Sequence, residues 1–539
     1  MLVRLALIAT TLLASAACQA PASPVVSATP SSGVQPGGAF RTALSADIAT
    51  LDPWNANDPN SLLVTRQIFE TLVEYEPGSF RIVPKLAKSW SVSPDGRMWT
   101  FVLRSGVKFH DGTDLDAAGV ALNLERARLR DHPLRGATSP DRFRTYASLL
   151  EGFDDAGIVT RVDAPDASTV TITTRTPFGP LLADLAMPSF AIVSPASIRA
   201  DPSGWATPAS AAVAGTGPFV FRVGAWQREQ QVTLERNAAY WARDRFGAAL
   251  PYVDRIVFRP IRDETARIAE MRRGELDAVR EITPGAVPTV SADPNLGLSN
   301  DRALGVAYLG ISQLARPFDR IEVRRAIAMA VDKQLLAITM YAGNARGVSQ
   351  LLVPGMLGYD DSVVEFYRYD TAAAKRLLVD AGFPSGFTTE LWYPATWRSS
   401  YPEPRRVADS IAADLARIGI VATVRAMDAA ALRTDARADR VPLWLGELAG
   451  ASADPDAFFP DGGAWAGDVV RELLRRARYE ADASKRTELY KQVSKLIQQD
   501  AARIPLVHAD TLVAASKKVR GLMLDPIGVE AYTAVWLGK

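Results

Sequence analysis

Few of the 539 residues have the type and spacing that chemistry on a substrate requires. The chain has one cysteine, Cys18, and three histidines, His110, His132 and His508. One cysteine closes no intramolecular disulfide and builds no thiolate metal site. Three separated imidazoles with no cysteine beside them do not form a zinc or nickel centre. No G-x-S-x-G elbow, H-E-x-x-H helix or phosphate-loop consensus occurs. Gly215-Thr216-Gly217 comes nearest, but no third glycine and no Lys-Ser/Thr pair follow, and Pro218 removes an N–H donor that a phosphate cradle would use. Paired carboxylates are plentiful, but the sequence does not place any of them in a site. The expectation is a protein that is not an enzyme and needs no cofactor. With 61 basic against 60 acidic residues, the formal charge of +1 argues against a nucleic-acid partner.

The elements that would position a binding site are more legible. The length implies two or three domains, and 48% apolar with 22% charged residues is globular composition. Arg4, the apolar run Leu5–Ala14 and the small residues Ser15, Ala16 and Ala17 read as a targeting segment, too short to remain as a membrane span. Small residues directly before a lone cysteine resemble a bacterial lipoprotein signal, so Cys18 is the expected acylation site. Residues 19–38, rich in Pro, Ser, Ala, Thr and Gly, cannot build a core and read as a flexible tether.

Folding is expected to begin near Phe40. In Ser89–Arg128, a Ser93-Pro94-Asp95-Gly96 turn precedes apolar residues at alternate positions, Trp99, Phe101 and Leu103, then Val107 and Phe109. After a second turn at His110–Thr113 the period changes. Ala117, Val120, Ala121, Leu124 and Ala127 form a helical stripe, with Asp116 as its N-cap. Further helices are predicted at Ser61–Val73, Phe178–Leu185, Asp263–Gly274, Val323–Leu335, Tyr369–Phe383 and Arg406–Ile418, and two more within Arg471–Asp500. Strands are predicted at Phe40–Leu44, Thr169–Thr174, Phe219–Val223, Ile256–Ile261, Leu276–Val279, Gly419–Val424, Ile504–Val513 and Val519–Leu524. Mixed helix and strand signals give an α/β class.

The stretch SWSVSPDGRMWTFVLRSGVKFHDGTDLDAAGV resembles the best-marked segment of the peptide-binding, cluster C solute-binding proteins of ABC importers, family 5, whose usual pattern is W..S.DG..WTF.LR.GVKFHDGTPLTAEDV. Asp114 replaces the usual Pro, and Gly119 stands where an acidic residue often closes a capping box. GTGPF at Gly215–Phe219, RNAAYW at Arg236–Trp241 and ETARIAEMRRGELDAV at Glu264–Val279 match in the family's order, as do VRRAIAMAVDKQL and YDTAAAKRLLVDAGF, so the likeness covers about Phe40–Lys539.

The resemblance implies a two-lobed periplasmic-binding-protein fold, type II, cluster C, with an extra inserted domain. Lobe I would be 39–69, 197–305 and 509–539, the inserted domain 70–196 and lobe II 306–508, after a signal at 1–18 and the 19–38 linker. It implies an exported, lipid-anchored monomer on the periplasmic or extracellular face. Such a protein would bind short peptides in a closing cleft and deliver them to the permease and ATPase subunits of an importer. A non-peptide solute (sugar, opine or metal chelate) or a sensory lipoprotein without transport is the alternative. An enclosed peptide brings an ammonium and a carboxylate, and burying either unpaired costs several kcal/mol. By the family's pattern Arg398, in LWYPATWRSSYPEP, would meet the carboxylate. Glu447, three residues after Trp444, would meet the ammonium, with Asp454 of the Asp454-Pro455-Asp456 motif as substitute. Trp444 is a candidate pocket wall. The Leu51–Asn60 loop, with Asn57 and Asp58, would reach the ligand.

Overall fold

The computed structural model describes residues 33–136, 142–200, 207, 210, 213–363, 366–396, 400–448, 452–459, 466–501, 503–524 and 527–539. Cys18, the proposed signal, most of the tether and Arg398 lie outside them. Residues Gln35–Lys539 form one unit, organised around a single large mixed sheet.

The strands of that sheet, in chain order, are β1 (Ala39–Leu44), β2 (Phe219–Gln227), β3 (Gln231–Arg236), β4 (Arg255–Pro260), β5 (Ala278–Val279), β6 (Leu296–Ile311), β7 (Phe387–Pro394), β8 (Ile420–Met427), β9 (Leu443–Leu448) and β10 (Arg503–Ser516). Their spatial order is β8-β7-β9-β6-β10-β5-β1-β4-β3-β2, and Ala345–Gly347 adds to β10. The two long strands β6 and β10 pair antiparallel from Leu296↔Ser516 to Gly310↔Arg503, with register shifts between Arg302 and Val306 and between Ala307 and Tyr308. On one flank β1 runs parallel to β4 and β5; on the other β7 runs parallel to β8 and β9. A separate four-stranded antiparallel sheet contains Ala87–Val92, Met98–Leu103, Val159–Asp166 and Thr169–Thr174.

Strand alternation divides the interior. Along β6, Ala307, Leu309 and Ile311 enter one core with Val407, Ile411 and Leu443, while Val306 and Tyr308 enter another with Phe458, Leu474 and Tyr490. A third core joins Phe40, Leu63 and Phe258 to Phe101, Val120 and Phe190. Trp99, Phe101, Leu103, Val107 and Phe109 are all buried, as their spacing predicts, although the strand ends at Leu103 and the chain turns at Gly106, whose φ is +76°.

The Ser61–Val73 helix is shorter than expected, Pro59–Ile68. Gly217 donates its N–H to the Ile68 carbonyl (2.9 Å), and neither Gly215 nor Gly217 has room for a Cβ against the Ile68 backbone. The glycines of GTGPF therefore allow a close approach to the end of this helix. The expected Val323–Leu335 helix is two, Ile321–Ala330 and Lys333–Met340, because the Asp332 carboxylate accepts from Leu335 N–H (2.9 Å) and caps the second. Asp116 caps Ala117–Arg128 through Gly119 N–H (2.7 Å). Gly119 departs from the family pattern for a steric reason: a Cβ there would meet Pro195 at 2.9 Å and the capping carboxylate at 3.1 Å.

Candidate functional site

The carboxylate of Glu447 lies where the central strands change register. Glu447 stands opposite Ala307 on β6, just past the irregularity that follows Arg302. It accepts from the Ser400 backbone N–H (3.2 Å), and a Cβ on Gly305 would lie 3.2 Å from its Oε1. Ser400 is itself pinned. Tyr341 donates its hydroxyl to the Ser400 carbonyl (2.7 Å), and the Tyr401 hydroxyl is 2.9 Å from both the Tyr308 and Gly446 carbonyls. Burial, with Glu447 nearby, holds the Tyr341 phenol above its usual range, so it stays a neutral donor. The anchored loop leads back, two residues earlier, to Arg398.

Trp444 and Glu447 do not share a face. Three residues apart on a strand, their side chains point to opposite sides. Trp444 is 3% exposed and packs with Tyr308 and Phe458, whereas Glu447 follows Leu443 and Leu445. Two cross-strand slots fix the aromatics. Gly310, opposite Trp444, leaves room for the indole, and Gly446, opposite Tyr308, leaves room for the phenol ring. The Arg503 guanidinium covers both, 4.6 Å from the Tyr308 ring and 5.9 Å from that of Trp444.

Asp454 is buried and bidentate with Arg486 (2.7 and 2.8 Å), and it caps the short helix Pro455–Phe458. The Arg478 Nε–H is shared between the two Asp456 oxygens (2.9 and 3.1 Å); burial, opposed by Arg478, lifts the Asp456 carboxyl to about 6. In the Leu51–Asn60 loop, Asp58 caps the following helix through Ser61 N–H (2.8 Å). Asn57 is exposed; its amide donates to the Asn55 carbonyl (3.1 Å) and its oxygen accepts from Thr145 (3.0 Å). Trp54 is buried and donates to the Ala191 carbonyl (2.8 Å). The structure thus brings Glu447 together with the Ser400 loop and places Asp454, Asn57 and Asp58 in separate networks.

Several groups had no local sequence signal. Arg126, Arg135 and Arg142 surround the Phe143 ring at 5.3, 4.8 and 5.4 Å, with Asp52 3.9 Å from Arg126 and 3.7 Å from Arg142. Glu70 accepts from Tyr240 (2.6 Å), Thr216 (2.8 Å) and Trp241 (2.8 Å) and lies 3.3 Å from Lys85. The RNAAYW and GTGPF motifs therefore meet on one buried carboxylate. Among the described residues no group of three His, Cys, Asp or Glu side chains is arranged to hold a metal ion, and no helix is long and apolar enough to cross a membrane.

Residues 81–466 match the family model described as bacterial extracellular solute-binding proteins, family 5, middle. The chain is 29% identical over 494 residues to di/tripeptide-binding protein 1 of Pseudomonas aeruginosa, covering 88% of this chain and 89% of that one. Among solved structures, HbpA2 of Haemophilus parasuis superposes with a TM-score of 0.83 at 28% identity, over 93% of this chain and all of that one. The periplasmic binding protein DppA of Helicobacter pylori, in complex with the peptide STSA, gives 0.74 at 26%, over 94% and 99%.

Proposed function

Because the chain belongs to the bacterial extracellular solute-binding proteins of family 5 and has their two-lobed fold, we propose that it binds short peptides between its lobes and delivers them to the permease and ATPase of an importer. It acts as a carrier and not as an enzyme. We place lobe I at 39–69, 197–305 and 509–539, the inserted domain at 70–196 and lobe II at 306–508. The Arg302/Val306 register shift supports the 305/306 division, since it falls where β6 passes from pairing with β10 alone to pairing with both β9 and β10. Motion about the β6–β10 pair would open and close the cleft. Cys18 would anchor the monomer on the outer side of the membrane through the 19–38 tether.

The observation that carries this reading is the Glu447 carboxylate beside the anchored Ser400 loop. Arg398 is two residues before Ser400 in the chain, a contour of at most about 7 Å. An ammonium on Glu447 and a carboxylate on Arg398 would hold the ends of a short zwitterionic peptide. A thermal-shift screen of di- to pentapeptides, sugars and metal chelates, after partial unfolding to release bound solute, tests the class. At a hundredfold excess over Kd a true ligand stabilises by about 2.7 kcal/mol. A shift with sugars or chelates and none with peptides would replace the peptide reading.

A further inference from the structure

Asp184 lies in the short helix Leu181–Leu185 and is 1% exposed, and neither carboxylate oxygen has a hydrogen-bond partner. What it faces comes from across a contact: the Asp454 and Asp456 carboxylates, the Arg486 guanidinium and the Ser452 hydroxyl. The two surfaces fit closely. Gly179 donates its N–H to the Arg478 carbonyl (3.0 Å) and has no room for a Cβ against Glu480 and Arg486. The Tyr75 hydroxyl accepts from Ala453 N–H (3.2 Å) and donates to the Ala183 carbonyl (2.9 Å). Tyr479 donates to Glu151 (2.7 Å), and Tyr490 lies against Arg486.

Charge does not balance inside this contact. Asp454 engages Arg486, and half-buried Asp456 shares Arg478 with Glu151, so buried Asp184 has no guanidinium of its own. A buried ionised carboxylate beside Asp454, with the nearest guanidinium already held by that carboxylate, is less stable there than the neutral acid.

We propose that docking of residues 452–456 and 478–490 onto the segment 179–184 takes up one proton at Asp184. This rests on the reading that the two lobes open and close. Apart, Asp184 is solvated and ionised at neutral pH; together, it is a neutral acid. Burial, reinforced by Asp454, holds its carboxyl well above the usual range in the closed form. The closed form is therefore favoured in acid. Above the ordinary carboxylate value its ratio to the open form falls about tenfold per pH unit, until the closed form also loses the proton. The cleft would seal more readily in an acid medium.

Small-angle X-ray scattering of the ligand-free full chain from pH 7 to 9, above the range in which Asp456 titrates, tests this. The wild-type radius of gyration should rise with pH. Asp184→Asn, neutral throughout and able to donate as the acid does, should keep the compact value. Gly179→Leu, a wedge in the contact, should be expanded at every pH. If wild type and Asp184→Asn follow the same curve while Gly179→Leu expands, the proton latch is overturned and the opening motion survives. If Gly179→Leu is as compact as wild type, the lobes do not separate there, and the motion falls together with the latch.

Discussion

His110 gives a joint in this molecule a definite pH dependence. Its ring lies against the Gly215–Gly217 turn, with Nε2 2.9 Å from the Gly217 carbonyl and Nδ1 accepting from Gly215 N–H (3.3 Å). The neutral tautomer that donates from Nε2 satisfies both contacts. A second ring proton would set a donor against the Gly215 N–H. Burial pushes the imidazole down from 6.5 to about 4, although the Gly217 carbonyl and Asp111 pull the other way. Because the folded state binds this proton more weakly than the unfolded chain, the stabilisation is complete above pH 6.5 and is lost as pH falls toward 4. At 1.36 kcal/mol per pKa unit, about 2 kcal/mol disappears between pH 7.5 and pH 5. Urea denaturation of wild type and His110→Gln at both pH values measures it. His110→Gln keeps a donor and an acceptor but does not titrate, so its deficit relative to wild type should shrink by about 2 kcal/mol at pH 5. The smaller acid loss from His132, also lowered by burial, is common to both proteins and cancels. Equal acid losses in the two would refute the assignment of the proton to His110.

Three further outcomes are expected. Arg398→Ala should weaken free-carboxylate peptides roughly 30-fold or more and C-amidated ones far less, while Glu447→Gln should do the same for free against acetylated amines; equal losses for blocked and unblocked peptides by calorimetry would end the charge-clamp reading. Asp454→Asn should cost about 3–5 kcal/mol in chemical denaturation, because it leaves the Arg486 guanidinium buried without its carboxylate. Gly119→Ala would gain about 1 kcal/mol from helix propensity alone, yet contact with Pro195 at 2.9 Å should make the measured change destabilising; a higher Tm would show that Pro195 yields.

Local signals read well from the sequence where local chemistry decides. The Asp116 cap and the Thr169–Thr174 strand stand as their residues imply, and Gly274, with φ +76°, follows the helix Glu264–Arg272. The helix at Val323–Leu335 was harder, because apolar period alone does not reveal that Asp332 would turn its carboxylate onto Leu335 N–H. The candidate site was only partly legible. A spacing of three between Trp444 and Glu447 looks like one unit in a motif, but strand period separates the two faces, and nothing nearby announces that Gly310 must lie opposite the indole. Asp454 reads as an available acid until Arg486, 32 residues later, occupies both its oxygens. Such pairings depend on how distant segments are brought together, which pattern along the chain does not encode.

The register shift between Arg302 and Val306 also limits how this chain can change length in evolution. Beyond it, Ala307, Leu309 and Ile311 alternate with Val306 and Tyr308 between two filled cores. Deleting one residue from 303–305 would invert that alternation, drive the Tyr308 ring into space occupied by aliphatic side chains, and move Gly310 away from Trp444. Insertions and deletions should therefore be tolerated in surface turns but purged here, so that homologous chains differ in loop length while this crossing keeps its residue count.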